Sequence, residues 1–246
     1  MRQSSIQAVI EYQATVPATQ TNSSRSIQIV RRVPAVARLR LRSWRYRHAK
    51  RVLDVTSAAI LLALFAIPGA AIAGLVMLTS DGPVFYRERR IGRFGRTFEI
   101  WKFRSMYADA ARRAHIMDAQ TGEKVLEWRM HKNGRDPRIT PIGRFLRKWS
   151  IDEVPQLINV LRGEMSLIGP RPIVQSEADF YGDLFAYYLA VTPGLSGLWQ
   201  VSGRSDVGYD ERAELDARYV STWSIRSDFS ILLRTLPAVL ARRGAH

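Results

Sequence analysis

Residues 52–78 read VLDVTSAAILLALFAIPGAAIAGLVML, and the way this run meets a membrane decides the fold. Its length permits an ordinary bilayer crossing of about 20 apolar residues. Pro68 and Gly69 fall near its middle. Proline there removes a backbone hydrogen bond and disfavours helical geometry at Ile67, so the run either kinks or reverses. The flanks bear on that choice. Basic residues lead up to Arg51, and Arg87, Arg89, Arg90, Arg93 and Arg96 follow. Positive residues prefer the cytoplasmic side, so a hairpin that dips into one leaflet and returns suits both flanks, whereas a straight crossing strands one of them. The expectation is a re-entrant membrane helix over 52–78 broken at Pro68 and Gly69, with a kinked span as the alternative. Asp54, just inside the run, lies at helical reach of Lys50 and Arg51 and reads as their ion-pair partner at the interface.

Working toward the N-terminus, eleven of the 37 Lys and Arg lie at or before Arg51 against one acid, Glu11. Most of the net charge of +15 is therefore a local cluster ahead of the apolar run. That pattern reads as an anchor for anionic membrane lipids. A nucleic-acid groove needs basic residues spread along a folded face, so no nucleic-acid partner is expected. Residues 31–51 form this basic juxtamembrane segment, in which Trp44 and Tyr46 suit a membrane interface. Residues 1–30 are rich in Ser, Thr and Gln and read as a disordered tail without a signal peptide.

Beyond the apolar run, residues 79–246 read as one cytosolic, membrane-associated domain. The stretch GPVFYRERRIGRFGRTFEIWKFRSM (82–106) alternates turn residues with β-branched and aromatic runs and predicts a small β-hairpin. Residues 107–132 predict a helix, and GRDPRITPIG (134–143) a loop. Residues 152–162 predict a helix with Leu157, Ile158 and Leu161 on one face, stopped by Gly163. ADFYGDLFAYYLAV (178–191) predicts a helix with Phe180, Leu184, Phe185 and Tyr188 on one side. Residues 207–219 predict another, and 227–242 a last amphipathic one that Pro237 interrupts. The fold class is α+β, mainly helical, with amphipathic interfacial helices on the cytosolic side.

The chain has no cysteine, which removes disulfides and thiolate chemistry and fits a reducing compartment. Its four histidines, at 48, 115, 131 and 246, share no metal-ligand spacing, so a metal would be held by oxygen. No Walker loop, dinucleotide fingerprint, nucleophile elbow or Asp-x-Asp pair is present. What remains is carboxylates, arginines and turns. KWSIDEVPQL (148–157) sets Asp152 and Glu153 side by side in a basic and apolar context. Ser150 with Glu153 matches a capping box, and a helix beginning at Asp152 would instead put Pro155 in its first turn. Arg171, between Pro170 and Pro172, is a guanidinium on a stiff backbone, suited to phosphate oxygens. Lys102 and Arg104 on a predicted strand, and Arg138 in DPRIT, are further cations.

From Lys50 to the C-terminus these stretches resemble the bacterial sugar transferases, the monotopic polyprenyl-phosphate phosphoglycosyl transferases. The likeness runs in order through KRVLD, the apolar run, the 82–106 stretch, DPRITPIGRFLRKWSIDEVPQLINVLRGEMSLIGPRP and TPGLSGLWQVSGR. The C-terminal part is most similar to members that begin exopolysaccharide synthesis by loading galactose phosphate or glucose phosphate. The resemblance implies transfer of a sugar 1-phosphate from a UDP-sugar to undecaprenyl phosphate, with release of UMP and with Mg2+. It implies that Asp152 attacks the sugar-linked phosphorus to give an aspartyl-phosphosugar intermediate. Glu153 would assist through metal binding or proton handling, and both acids are candidate metal ligands. Arg171, Arg138, Lys102 and Arg104 would hold phosphate. Asp216 matches a position that often carries an acid near the site, and reads equally as a solvated helix residue. The implied location is the bacterial inner membrane, with the catalytic domain on its cytoplasmic face. A homo-oligomer is left open. The alternative reading is a catalytically silent membrane scaffold of a polysaccharide assembly complex, against which both acids and Arg171 argue.

Overall fold

A computed structural model of the chain describes residues 44–110, 112, 136–203 and 208–240. The tail at 1–30, most of the basic segment at 31–51 and most of the helix expected at 107–132 lie outside the described residues. The architecture is mainly helical with a small antiparallel hairpin.

Helix α1, Trp44–Thr79, carries the whole apolar run and contains Pro68 without leaving helical conformation. The expected break at Pro68 is thus not an interruption of secondary structure. The middle of α1 is apolar on all sides, with Ile60, Leu64 and Ile67 60, 72 and 85% exposed. A helix apolar all round and unburied in protein needs a non-aqueous surround. It is the one helix among the described residues long and apolar enough to cross a membrane.

Both ends of α1 are tied to the same folded body. At the start, Lys50 Nζ donates to Asp228 Oδ2 at 2.6 Å and to the Ile168 carbonyl at 3.1 Å. The Arg51 guanidinium donates to the carbonyls of Val160 and Leu161. Asp54 does not serve as the exposed interfacial partner read from the sequence: it is buried, accepting from Ser166 Oγ at 2.8 Å and the Leu167 amide at 3.1 Å. At the far end, Arg104 Nη2 donates to the carbonyls of Val76 and Ser80 and to Ser80 Oγ, at 3.2, 2.6 and 2.9 Å. These are carbonyls that the last helical turn leaves without partners.

Strands β1 (Phe85–Ile91) and β2 (Thr97–Phe103) pair antiparallel, from Phe85 opposite Phe103 to Ile91 opposite Thr97. Between them Phe94 and Gly95 take positive φ of 60° and 76° and turn the chain. Helix α2, Pro141–Lys148, starts inside the stretch expected to be loop. Thr140 caps it, its hydroxyl accepting from the Gly143 amide at 2.9 Å, and Pro141 follows where a missing N–H costs nothing. Gly143 has no room for a side chain, since an added Cβ would come within 1.9 Å of the Ser105 carbonyl oxygen. That close approach sets α2 against the exit of β2.

Helix α3, Gln156–Arg162, ends at Gly163 in the left-handed region as expected. Then β3 (Ser166–Ile168) and β4 (Gly194–Ser196) form a short parallel pair that the sequence does not announce. Between these strands the expected single helix over 178–191 is divided. A 3-10 helix, Gln175–Leu184, kinks at Gly182 (φ 46°, ψ −131°) and continues as α4, Phe185–Ala190. The kink separates the aromatic side chains: Tyr181 and Tyr188 are buried, while Phe180 stays exposed and stacks on Tyr209. Helix α5, Tyr209–Thr222, follows, and then α6, Ile225–Leu240. Pro237 lies within α6 and does not interrupt it. Ser224 and Ser227 cap its start reciprocally, each hydroxyl accepting from the other's amide. Ile231 faces the core, while Phe229, Leu232, Leu233 and Leu236 are exposed along α6, the stripe of an interfacial helix.

The core joins these pieces. Ile100, Leu157, Val160, Ile168, Tyr219, Val220 and Ile231 pack together with Ala58 of α1. A second cluster joins Val76 of α1 to Phe103 and Leu146. The hairpin, α2 and α3 are thereby fixed against the membrane helix.

Candidate active site

The chain leaves α2 through Trp149 and reverses at Ser150, whose φ of 55° is left-handed. A non-glycine residue pays about 1 kcal/mol for that conformation. Ser150 makes no side-chain cap, so the capping box read from the sequence does not form. The helix does not begin at Asp152 either. Ile151–Glu153 is a 3-10 turn, and α3 begins at Gln156 with Pro155 at its cap position. The acidic pair sits in this turn, on the N-terminal side of α3, where negative charge is favoured.

Asp152 is buried and Glu153 half-buried. Lys102, from β2, places Nζ 2.7 Å from Glu153 Oε1. Arg171 Nη1 lies 3.9 Å from the same oxygen. Burial pushes the Asp152 carboxyl above its usual range, and the charge on Glu153 adds to that, while Lys102 and Arg147 act in the opposite sense. The sequence reading missed Arg147. It lies in the last turn of α2 and is aimed by a 2.8 Å hydrogen bond from its Nε to Ser105 Oγ. Its signal was available in principle: once 141–148 is read as a helix, the cation falls one turn before the acidic pair.

The backbone around Arg171 is pinned on both sides. Pro170 O accepts from the Gly194 amide at 2.7 Å, and Pro172 O accepts from Arg90 Nη1 at 3.3 Å. The stiffness expected of the Pro-Arg-Pro triplet is thus reinforced by tertiary bonds.

Two expected phosphate ligands lie elsewhere. Arg104 is buried and spends its guanidinium on the C-terminal end of α1, because strand alternation from Lys102 would put it on the site only if β2 continued beyond Phe103. Arg138 forks onto Asp136, with Nη2 2.7 Å from Oδ2 and Nε 2.9 Å from Oδ1. Burial alone would raise the Asp136 carboxyl, but Arg138 holds it below its usual range. Asp216 is no solvated residue. It is 1% exposed, accepts from the Tyr181 hydroxyl at 2.8 Å, and burial pushes its carboxyl up to about 7. Pro68 and Gly69 lie within α1, where the Phe65 ring covers Gly69.

Among the described residues no group of three or more His, Asp and Glu is arranged to hold a metal. Asp152 and Glu153 remain the candidate oxygen donors for a divalent cation. Magnesium is commonly held by one or two carboxylates together with substrate phosphates and waters, a pattern that this pair fits. Chemically, the turn offers an oxygen nucleophile in a partly dry site with three cations around it, an arrangement suited to phosphoryl transfer.

A sequence model of the family described as bacterial sugar transferase matches residues 45–242. The exopolysaccharide production protein ExoY of Rhizobium meliloti (strain 1021) is 43% identical over 199 residues, 80% of this chain and 88% of that protein. The undecaprenyl-phosphate galactose phosphotransferase of Salmonella typhimurium (strain LT2) is 43% identical over 201 residues, 81% of this chain but 42% of that longer protein. The UDP-glucose:undecaprenyl-phosphate glucose-1-phosphate transferase of Caulobacter vibrioides (strain CB 15) is 42% identical over 208 residues, 80% of this chain and 72% of that protein.

Proposed function

The chain belongs to the bacterial sugar transferase family, and from that premise we propose that it transfers a hexose 1-phosphate, galactose or glucose 1-phosphate, from a UDP-sugar to undecaprenyl phosphate as the first step of exopolysaccharide synthesis. The observation that carries this reading is the Asp152–Glu153 turn, ringed by Lys102, Arg147 and Arg171 and packed against the end of a membrane helix.

In the first half-reaction a carboxylate oxygen of Asp152 attacks the sugar-linked phosphorus. The new bond is Asp152 Oδ to phosphorus. The bond that breaks joins that phosphorus to the bridging oxygen, which leaves with its electron pair on UMP. In the second, an oxygen of the lipid phosphate attacks the same phosphorus, and the Asp152 carboxylate departs. An anion attacking a diphosphate must overcome repulsion, which Arg171, Arg147 and Lys102 reduce. Glu153 keeps Lys102 and Arg171 in place. Asp152 and Glu153 would hold Mg2+, which would supply further neutralisation of the donor's charge. A covalent intermediate suits substrates of opposite solubility, because nucleotide and lipid need not be bound together.

The same reading puts the protein in the bacterial inner membrane with its catalytic domain at the cytoplasmic face, and α1 re-entrant. Its support is that Lys50, ahead of the apolar run, and Asp54, just inside its start, bond to the same folded body as Val76, near its end, and Ser80, beyond it. A crossing would carry those ends to opposite faces, about 30 Å or more apart. With His48→Cys and Asp81→Cys in separate variants, both thiols should resist an impermeant reagent in intact cells and react after permeabilisation. Opposite accessibility would establish a crossing.

The activity test is UMP release from UDP-galactose and UDP-glucose with undecaprenyl phosphate, in membranes containing the protein. Asp152→Asn should release none, and donor alone should leave a hexose phosphate mass on the peptide containing Asp152. An active protein that never carries the adduct would overturn the two-step mechanism.

A further inference from the structure

Behind Arg171 lies a group of buried polar atoms that the transfer chemistry does not use. Among the described residues, Arg212 Nε and Nη2, Trp199 Nε1 and Asp216 Oδ1 have no hydrogen-bond partner. The Arg212 side chain is 9% exposed, and Asp216 is 1% exposed. Both stand on α5, one turn apart, yet they are not paired to each other. Arg212 reaches instead toward Glu177 Oε1, 4.0 Å from Nη1, and Asp216 Oδ2 takes the Tyr181 hydroxyl. A single orphaned buried group costs about 1–3 kcal/mol. Two donors on a guanidinium, an indole N–H and a carboxylate oxygen gathered in one place need a common explanation.

The place is contiguous with the dyad. Arg171, 3.9 Å from Glu153, also lies 5.8 Å from the centre of the Trp199 ring, and the Arg212 guanidinium lies 4.6 Å from that ring. Three kinds of ligand can be weighed there. A phosphate would meet the carboxylates of Asp216 and Glu177. A pyrimidine base needs an open aromatic face, whereas Trp199 is buried and approached by two guanidiniums. A sugar ring carries hydroxyls that both donate and accept, which matches orphaned donors beside an orphaned acceptor. Exposed Tyr209, 5.6 Å from the Arg212 guanidinium, supplies an aromatic rim.

We propose that Arg212, Asp216 and the Trp199 indole N–H form the subsite that reads the hydroxyls of the donor's sugar. This rests on the reading of the dyad as the phosphoryl-transfer centre. The sugar attached to the transferred phosphorus then extends from Arg171 past Trp199 toward α5. There the guanidinium and carboxylate take neighbouring hydroxyls. Because the Asp216 carboxyl is raised to about 7, it can meet a hydroxyl as acceptor or as donor near neutrality. A site built to bond a hydroxyl discriminates strongly against a ligand lacking it, since its own buried groups are then left unpaired.

The experiment is equilibrium binding to the purified full chain, with UDP-galactose, UDP-glucose, their 4-deoxy and 6-deoxy analogues, and UMP. Arg212→Lys and Asp216→Asn should each weaken the preferred UDP-hexose by about tenfold or more while changing UMP by less than about twofold. One deoxy analogue should bind the wild type weakly and lose nothing further in the matching variant, since the two changes remove one interaction. Equal weakening of UMP and UDP-hexose, or additive losses for every analogue, would overturn the subsite in favour of a nucleotide contact or a general structural role. Unchanged binding in both variants would mark a closed polar cluster and overturn it as well. Wild-type binding without UMP release would remove the transfer reading, whereas turnover without coupling would remove the subsite alone.

Discussion

Two buried aspartates, Asp152 and Asp216, have surroundings that differ in kind. Asp152 lies in a 3-10 turn beside a second acid, opposed by Lys102, Arg147 and Arg171. Asp216 lies in a regular helix, bonded by one tyrosine hydroxyl and left with one oxygen that has no hydrogen bond, on the same helix as an arginine whose Nε and Nη2 have none. Burial raises both carboxyls. At Asp152 neighbouring cations counter that rise, and in the proposed reaction they also face the substrate phosphate. At Asp216 polar capacity is left over. On the proposed reading, the contrast separates a group that reacts from one that recognises.

The largest effect should come from Asp152→Asn, which removes the attacking oxygen and should lower turnover by at least about a thousandfold, measured as UMP release. Parity with wild type would erase the distinction between the two aspartates. Next in size is the difference between cations. Arg171→Ala should cost about a hundredfold or more in kcat/KM, because it removes a guanidinium from the dyad. Arg138→Ala should cost less than about fivefold, because that fork serves Asp136. If the two losses were equal, the site would have to extend to Arg138.

Arg104 should fail differently. Arg104→Met leaves the Val76 and Ser80 carbonyls without their donor, which should lower stability by about 2–3 kcal/mol. The melting temperature in a lipid nanodisc should fall, while kcat per folded molecule holds. A loss of kcat at unchanged melting temperature would return Arg104 to the site.

These contrasts also explain how far the sequence could be read. The apolar run, the hairpin, α3 with its Gly163 stop and the dyad with Arg171 are legible because each is a local pattern of hydropathy, turn residues or adjacent charge. Arg104 and Arg138 bond away from the dyad, which the sequence does not show because a cation's partner is a tertiary fact: nothing near Arg104 in sequence announces Val76 and Ser80. The capping box at Ser150 matched in sequence but not in conformation, since Ser150 takes the left-handed φ needed to reverse the chain after α2. The β3–β4 pair is three residues per strand and buried throughout, too short for alternation to show. Arg212 gave no signal, because an arginine in a polar helical stretch reads as solvated until the packing of Trp199 and Glu177 is known.

The most diagnostic effect, read in stability and not in turnover, is the pH dependence carried by Asp216. Folded, it holds its proton up to about pH 7, whereas in the unfolded chain it titrates near the ordinary 3.8. Between those values the native state binds more protons than the unfolded state, so this group's contribution makes stability fall as pH rises. The contribution is fully present below the unfolded value and is lost above about 7. Asp136, whose carboxyl is lowered, acts with the opposite sign, and Asp152 with the same sign. The measurable quantity is therefore the difference between wild type and Asp216→Asn, followed by thermal unfolding from pH 4 to pH 8. The variant should gain on the wild type steadily across that window, because its amide never has to carry charge into the interior. A gap that stays constant with pH would mean that Asp216 is ionised in the native protein throughout, with Arg212 compensating it. The contrast between the two aspartates would then rest on position alone.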